Sequence, residues 1–171
     1  DILSLGRAGN RQATPVVRTR FSEVFPDFSP DGRWLAYTSD ESGRPEVYVQ
    51  PYPGPGPRIS ISVQGGTAPS WRADGQELFY LVPPVAPDTG FKVMAVPVSI
   101  RPTFTAGVSR LLFALESRVV PNAANVRGYD VTPDGQRFLM VRTIEREPIK
   151  PTPMVLVQNW FEELRRRVPV N

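Results

Sequence analysis

Cysteine and histidine are both absent from the 171 residues. Without cysteine there is no disulfide frame, no thiol nucleophile and no thiolate zinc site. Without histidine the commonest general base and the commonest transition-metal ligand are missing too. No stretch approaches the roughly 18–20 uninterrupted apolar residues of a membrane-spanning helix, so no span is expected. An excess of one charge is also lacking. The chain has 20 Lys+Arg against 17 Asp+Glu, a net +3, too evenly spread to make a nucleic-acid footprint. What is plentiful is proline, with 20 residues beside 13 glycines. An interior proline removes a helical donor and clashes with the preceding turn, so this composition favours strands and turns. A length of 171 residues with 40% hydrophobic content suits one domain with a packed core.

A repeat organises the chain. Three segments align: Pro26 to Tyr37 (PDFSPDGRWLAY), Pro69 to Tyr80 (PSWRADGQELFY) and Gly128 to Met140 (GYDVTPDGQRFLM). Each carries an apolar residue three before an Asp-Gly pair (Phe28, Trp71, Val131) and an apolar run shortly after it. Asp can bond its own backbone two residues on, and Gly accepts positive φ, so Asp-Gly between apolar runs marks a hairpin. A third strand is expected after each hairpin, at Glu46–Val49, Lys92–Val96 and Met154–Val157, and a fourth at Arg58–Ser62 and Leu111–Phe113. The opening Asp1–Leu5 fits the third-strand slot of a preceding unit. Insertions at Pro83–Gly90 and roughly Glu116–Arg127 account for the wider second interval. A four-stranded unit repeating every ~40–45 residues is the pattern of a β-propeller blade. A β-sandwich also has short strands and frequent turns, but has no reason to repeat one turn sequence at one position in each unit.

The fold expected is therefore all-β, a partial β-propeller of about three four-stranded antiparallel blades in one domain, 1–171. Its parts are a half-blade 1–17, blades 21–63 and 67–114, an incomplete blade 127–158 and a helix 159–168. The run from Phe28 to Ser39 (FSPDGRWLAYTS) followed by Glu46-Val47-Tyr48-Val49 resembles the repeat of TolB-like and other WD-type propellers. Ser42–Pro51 and Asn159–Leu164 (NWFEEL) resemble the carboxy-terminal propeller of some bacterial Ser/Thr protein kinases. That resemblance implies a sensing or scaffolding domain, in a periplasmic or extracytoplasmic setting that no signal sequence here supports. The third unit departs from the pattern, with Thr132 for Ser and Met140 for the aromatic.

About three blades is fewer than the four to eight of closed propellers, and no initiator Met is present, so the chain reads as the carboxy-terminal piece of a longer protein. Open sheet edges template pairing with another chain, which raises a homodimer in which each amino-terminal strand completes the other copy's last blade. At the carboxy end, Asn159 and Glu162 form a capping-box-like pair, and Arg165, Arg166 and Arg167 suit the negative end of the helix dipole. Trp160, Phe161, Leu164 and Val168 share one face, which is expected to fold over the propeller.

Motifs that carry chemistry are few. There is no Gly-x-Ser-x-Gly elbow and no Ser-x-x-Lys. Asp31, Asp74 and Asp134 recur at equivalent positions, which argues for a turn role, since one active site needs one residue and every hairpin needs its own. Asp40-Glu41 lacks calcium-loop spacing. Gly65-Gly66 is followed by Thr67-Ala68-Pro69 where a phosphate-binding helix would begin. Arg7, Arg11, Arg18 and Arg20 are basic, but the aromatics needed for stacking occupy strand positions. No catalytic, cofactor or metal residue is assigned, no cofactor is implied, and nucleic acid is not expected as a partner. The function expected is a non-catalytic module that binds a protein, peptide or small molecule through rim loops, above all Pro83–Gly90 and Glu116–Arg127. The alternative is a hydrolase with weak esterase- or peptidase-like activity in a propeller cleft.

Overall fold

The computed structural model describes residues 1–7, 12–116, 122–123, 126–142 and 160–168. Strands β1 (Ile2–Ser4) and β2 (Thr14–Val17) pair antiparallel. A four-stranded antiparallel meander follows: β3 (Glu23–Phe28), β4 (Trp34–Ser39), β5 (Glu46–Pro51) and β6 (Ile59–Ser60), in that spatial order. The next meander holds β7 (Thr67–Trp71), β8 (Glu77–Val82) and β9 (Lys92–Ser99), with β10 (Thr105–Ala106) and β11 (Arg110–Ala114) both paired to β9. Two hairpins come after it, β12 (Asn122–Ala123) with β13 (Val126–Arg127) and β14 (Tyr129–Val131) with β15 (Phe138–Met140). Helix α1 spans Trp160–Arg167. The expected strand at Met154–Val157 and the Asn159 cap lie outside the described residues.

The fourth strand of the second meander is split, which the sequence does not announce. A residue in an antiparallel ladder presents its N–H and C=O to the same neighbour. The Pro97 carbonyl accepts from the Gly107 amide at 2.8 Å, so its missing N–H faces that same edge. The ladder is interrupted there, between Ala106 opposite Val98 and Arg110 opposite Ala95.

The three Asp-Gly corners are built alike. In each, the glycine amide donates to the carbonyl three residues back, from Gly32 to Ser29, Gly75 to Arg72 and Gly135 to Thr132. The glycines hold φ of 68°, 71° and 70°, the left-handed region that costs other L-residues roughly 1–2 kcal/mol. Each Asp accepts from the amide two residues on: Arg33 to Asp31, Gln76 to Asp74, Gln136 to Asp134. The corners are neighbours in space. A side chain built on Gly75 would run into Ile100 and approach Pro30 of the first corner, and one on Gly135 would run into Arg72 of the second.

Alternation of side chains along the strands explains the stacking. In β4, Leu35 and Tyr37 pack with Ile2 and Val17 of the opening pair, while Ala36 between them faces the second meander. In β8, Leu78 and Tyr80 join Ala36, Val47 and Val49 of the first meander. Leu81 instead packs with Tyr129 of the last unit, and Phe79 meets Phe138 edge-on with ring centroids 5.1 Å apart. Both meanders thus bury both faces. A two-sheet sandwich buries one face of each sheet, whereas a propeller blade is covered on both sides by its neighbours. The chain is a partial β-propeller with a short helix near its carboxy end.

Hydrogen bonds tie the innermost strands of successive sheets. Trp71 donates its amide to Asp27 Oδ2 at 3.0 Å and its indole N–H to the Asp27 carbonyl at 3.1 Å. The Tyr129 hydroxyl donates to the Ala68 carbonyl at 2.6 Å, and Arg127 donates to the Pro69 carbonyl at 3.0 Å. A repeated bulge accompanies them. Phe25 and Ala68 each stand before a proline, six residues ahead of the corner aspartate, and hold φ of 54° and 52°. The register slips there in both units, between Val24 and Asp27 and between Thr67 and Ser70.

Phe28 is half exposed and packs edge-on against Tyr52, 4.7 Å between centroids. One expectation is corrected. The described apolar side chains of the helix do not fold onto the propeller: Phe161 is 77% exposed, Val168 58% and Leu164 42%. Its charges do pair internally, Arg167 Nε standing 2.7 Å from Glu163.

Phe79→Ala removes a fully buried ring, and chemical denaturation should show a loss of about 3–5 kcal/mol. Leu139→Ala, on a side chain 75% exposed, should stay within about 0.5 kcal/mol. Equal, mild effects would contradict two-sided burial. Acid acts on the corners. Arg72 and the Gln76 amide hold the Asp74 carboxyl below its ordinary value, and the Thr132 hydroxyl and Gln136 amide do the same for Asp134. Burial pushes Asp31 up, but the Ser29 hydroxyl, the Arg33 amide and Arg101 outweigh it and leave it lowered. A folded value below the unfolded one gives stability that is complete above the unfolded value, near 3.9, and drains as pH falls through the folded values. Asp27, raised by burial, acts in the opposite sense. Asp74→Asn should therefore flatten the acid limb of a stability–pH curve, and an unchanged limb would contradict the corner role.

Candidate ligand-binding cleft

Between the two meanders lies a cleft of 410 Å³. One wall is the segment that leaves the first meander, Ile61 to Gly65; the other is the outer part of β8 and β9, with Tyr80, Val82, Lys92 and Met94. Pro83, Pro84, Val85 and Asp88 close one side, and Ser109 another. The cleft is therefore bounded by the Pro83–Gly90 insertion, the loop expected to carry contacts. Of the second insertion, Glu116–Arg127, residues 117–121, 124 and 125 lie outside the described residues, and its described part does not line this cleft.

Local chemistry shapes each wall. The Asp88 amide donates to the Val85 carbonyl at 2.9 Å, which turns the insertion back on itself. The loop returns at Gly90, where even a methyl side chain would strike the Leu115 carbonyl oxygen at 1.9 Å, so glycine is required by close approach. Lys92 Nζ stands 2.6 Å from Asp88 Oδ2 and ties the loop to β9. Both charges are about half exposed, so this pair positions the loop more than it stabilises the fold.

The opposite wall is anchored by Glu46, a carboxylate only 3% exposed. It accepts from Arg44 Nε at 3.0 Å, from the Gly65 amide at 2.8 Å and from the Ser62 hydroxyl. The Ser62 oxygen in turn accepts the Val47 amide at 2.8 Å. A buried carboxylate with this many donors is satisfied, and its work is to hold the 61–65 segment in place. Local sequence patterns do not reveal this anchor, because its Ser62 and Gly65 partners stand 16 and 19 residues away.

The cleft's polar atoms suit binding more than reaction. The Tyr80 hydroxyl and Ser109 Oγ lie 2.7 Å apart. Burial pushes the Tyr80 phenol up, so it stays a neutral donor and cannot serve as a base near neutral pH. Ser62 donates to the Glu46 carboxylate and accepts the Val47 amide, which commits its hydroxyl to the wall. At the mouth, Val63 and Val85 are 74% and 73% exposed. Apolar walls with a few fixed polar groups are the ordinary make-up of a binding pocket. Among the described residues, no group of three or more His, Cys, Asp or Glu is placed to hold a metal ion.

Other polar residues of the repeat make local contacts. Asp31, Asp74 and Asp134 sit in the corners. Asp40 Oδ1 accepts the Ser22 amide at 2.9 Å, and Glu41 pairs with Arg58. Arg20 lies over the Phe21 ring, 5.0 Å from its centroid, and Arg11 is outside the described residues.

No family model matches the chain. It is 42% identical over 48 residues to the Tol-Pal system protein TolB of Hahella chejuensis, covering 28% of this chain and 11% of that protein. It is 34% identical over 79 residues to TolB of Alcanivorax borkumensis, covering 44% and 18%. Among solved structures it is similar to a putative TolB from Agrobacterium tumefaciens, with a TM-score of 0.51 and 22% identity over 62% of this chain and 38% of that one. The chain spans less than a fifth of the curated relatives it matches. These matches agree with the repeat and the sheet stacking: the fold is that of a TolB-like propeller.

Proposed function

We propose that the chain is a non-catalytic propeller module that binds a protein or peptide in the cleft between its two complete sheets. The observation that carries this reading is the cleft itself, with valines exposed at its mouth, prolines along one side and a wall held rigid by Glu46. An extended peptide segment would lay apolar side chains on Val63, Pro84, Val85 and Met94, and meet hydroxyls at Tyr80 and Ser109. The names of the matched relatives, proteins of a Tol-Pal system, fit a role in a protein assembly. Within a longer polypeptide the module would serve as a sensing or scaffolding end, in the setting of a TolB-like protein or a Ser/Thr kinase.

A peptide library displayed on phage, selected on the folded chain, tests the proposal. Selected peptides should be apolar or proline-containing. Val85→Asp, a change at an exposed position that leaves the fold intact, should weaken them by about tenfold, roughly the 1.4 kcal/mol of one well-buried contact. Selection of no consensus, or peptides whose affinity ignores Val85→Asp and Val63→Asp, would overturn it.

A further inference from the structure

The first corner contains an oxygen with too few donors. The Asp31 side chain is only 9% exposed. Its Oδ1 accepts from the Ser29 hydroxyl at 2.7 Å and the Arg33 amide at 3.1 Å. Its Oδ2 is buried and has no hydrogen-bond donor. Among the described residues the cation paired with it is Arg101, whose Nε stands 3.5 Å away, beyond the usual 2.7–3.2 Å of an N–H···O bond. That arginine is 70% exposed, so it covers the carboxylate without being locked to it. A buried carboxylate oxygen left short of donors costs free energy and calls for an explanation.

The second corner supplies one by comparison. Where the first corner has Ser29, the second has Arg72. Its guanidinium takes both oxygens of Asp74, with Nε at 2.8 Å from Oδ1. The same turn, with the same aspartate, is completed there by a guanidinium from within the chain. At the first corner that place is held only loosely, by the exposed Arg101 guanidinium 3.5 Å from Oδ2. Asp31 lies on a cleft of 440 Å³ between the two corners, walled by Pro30, Val98 and Ile100. The strap carrying Arg101 is held at its root, where the Ile100 carbonyl accepts the Trp34 indole N–H at 3.3 Å and Ser99 Oγ donates to the Arg101 carbonyl at 2.9 Å. The root of the strap is held by these bonds, while the guanidinium beyond it is exposed.

We infer that this rim cleft is a second binding site, distinct from the one between the sheets, which receives an arginine side chain of a partner protein. The partner's guanidinium would occupy Asp31 Oδ2 and displace Arg101. Its aliphatic stem would lie along Pro30, Val98 and Ile100, as long cationic side chains commonly cover apolar surface. Guanidinium suits the place better than ammonium because its planar fork can reach a carboxylate edge that is otherwise filled.

The test is a titration of the ¹⁵N-labelled chain with N-acetyl-arginine amide, with N-acetyl-citrulline amide as a neutral, same-shaped control. The amides of Gly32, Arg33 and Ser99 should shift with the arginine compound and not with citrulline. Arg101→Ala removes the resident competitor at an exposed position and should tighten binding about threefold, as expected for one exposed ion pair. Asp31→Asn should abolish it, and should the corner fail to fold in that variant, the Arg101→Ala and citrulline comparisons decide. No shifts in Arg101→Ala at millimolar ligand, equal shifts with citrulline, or weaker binding in Arg101→Ala would each overturn the assignment.

Discussion

The structure depends on one constraint: its two meanders must be covered on both sides. Leu35 and Tyr37 point one way from β4 and Ala36 the other, and all three are sealed from water. The same is true of Leu78 and Tyr80 against Phe79 and Leu81 in β8. A sheet with two apolar faces has to stand between two neighbours, so the chain builds in series and cannot close as a pair of sheets. Fully burying side chains of this size contributes about 1.5–3 kcal/mol each, far more than the exposed ion pairs along the rim. Hydrogen bonds between innermost strands, above all those joining Asp27 to Trp71, then set the spacing and twist of one sheet against the next.

Features set by neighbours in sequence could be read before any coordinates. The corners are an example: Ser29 to Trp34, Arg72 to Glu77 and Thr132 to Arg137 close their own hydrogen bonds within six residues. The strands flanking them alternate or run apolar as buried strands do. Features set by distant residues were not readable. The bulges at Phe25 and Ala68 put non-glycine residues in a left-handed conformation, held by contacts such as the Ala68 amide donating to Thr38 Oγ1 across the sheets. The split of the last strand on β9 arises where Pro97 faces an edge chosen by register. The exposed side of helix α1 shows the converse, since an amphipathic pattern promises a partner without saying that one is present.

The candidate cleft divides along the same line. The Pro83–Gly90 insertion stood out because it breaks the repeat interval, and it does form one side. The other side depends on Glu46, a residue that reads in sequence as the start of a strand and acts in space as the peg for a segment sixteen or more residues on. A rigid repeat scaffold with irregular segments at its seams keeps recognition separate from stability. The residues at the cleft mouth and the rim strap are exposed and replaceable, while those beneath them are not.

The arrangement of the corners is the point on which all this rests, and the absence of cysteine makes it directly measurable. Single cysteines at Arg33, Gln76 and Gln136, each exposed and two residues past its corner aspartate, can be spin-labelled in pairs without interference. Pulsed electron–electron distance measurements should give two similar short separations, 33–76 and 76–136, and a longer one for 33–136, as three successive corners along one rim require. A 33–136 distance shorter than either neighbour pair, or any neighbour pair separated by the length of a sheet, would place the corners at opposite ends of facing sheets and contradict the account.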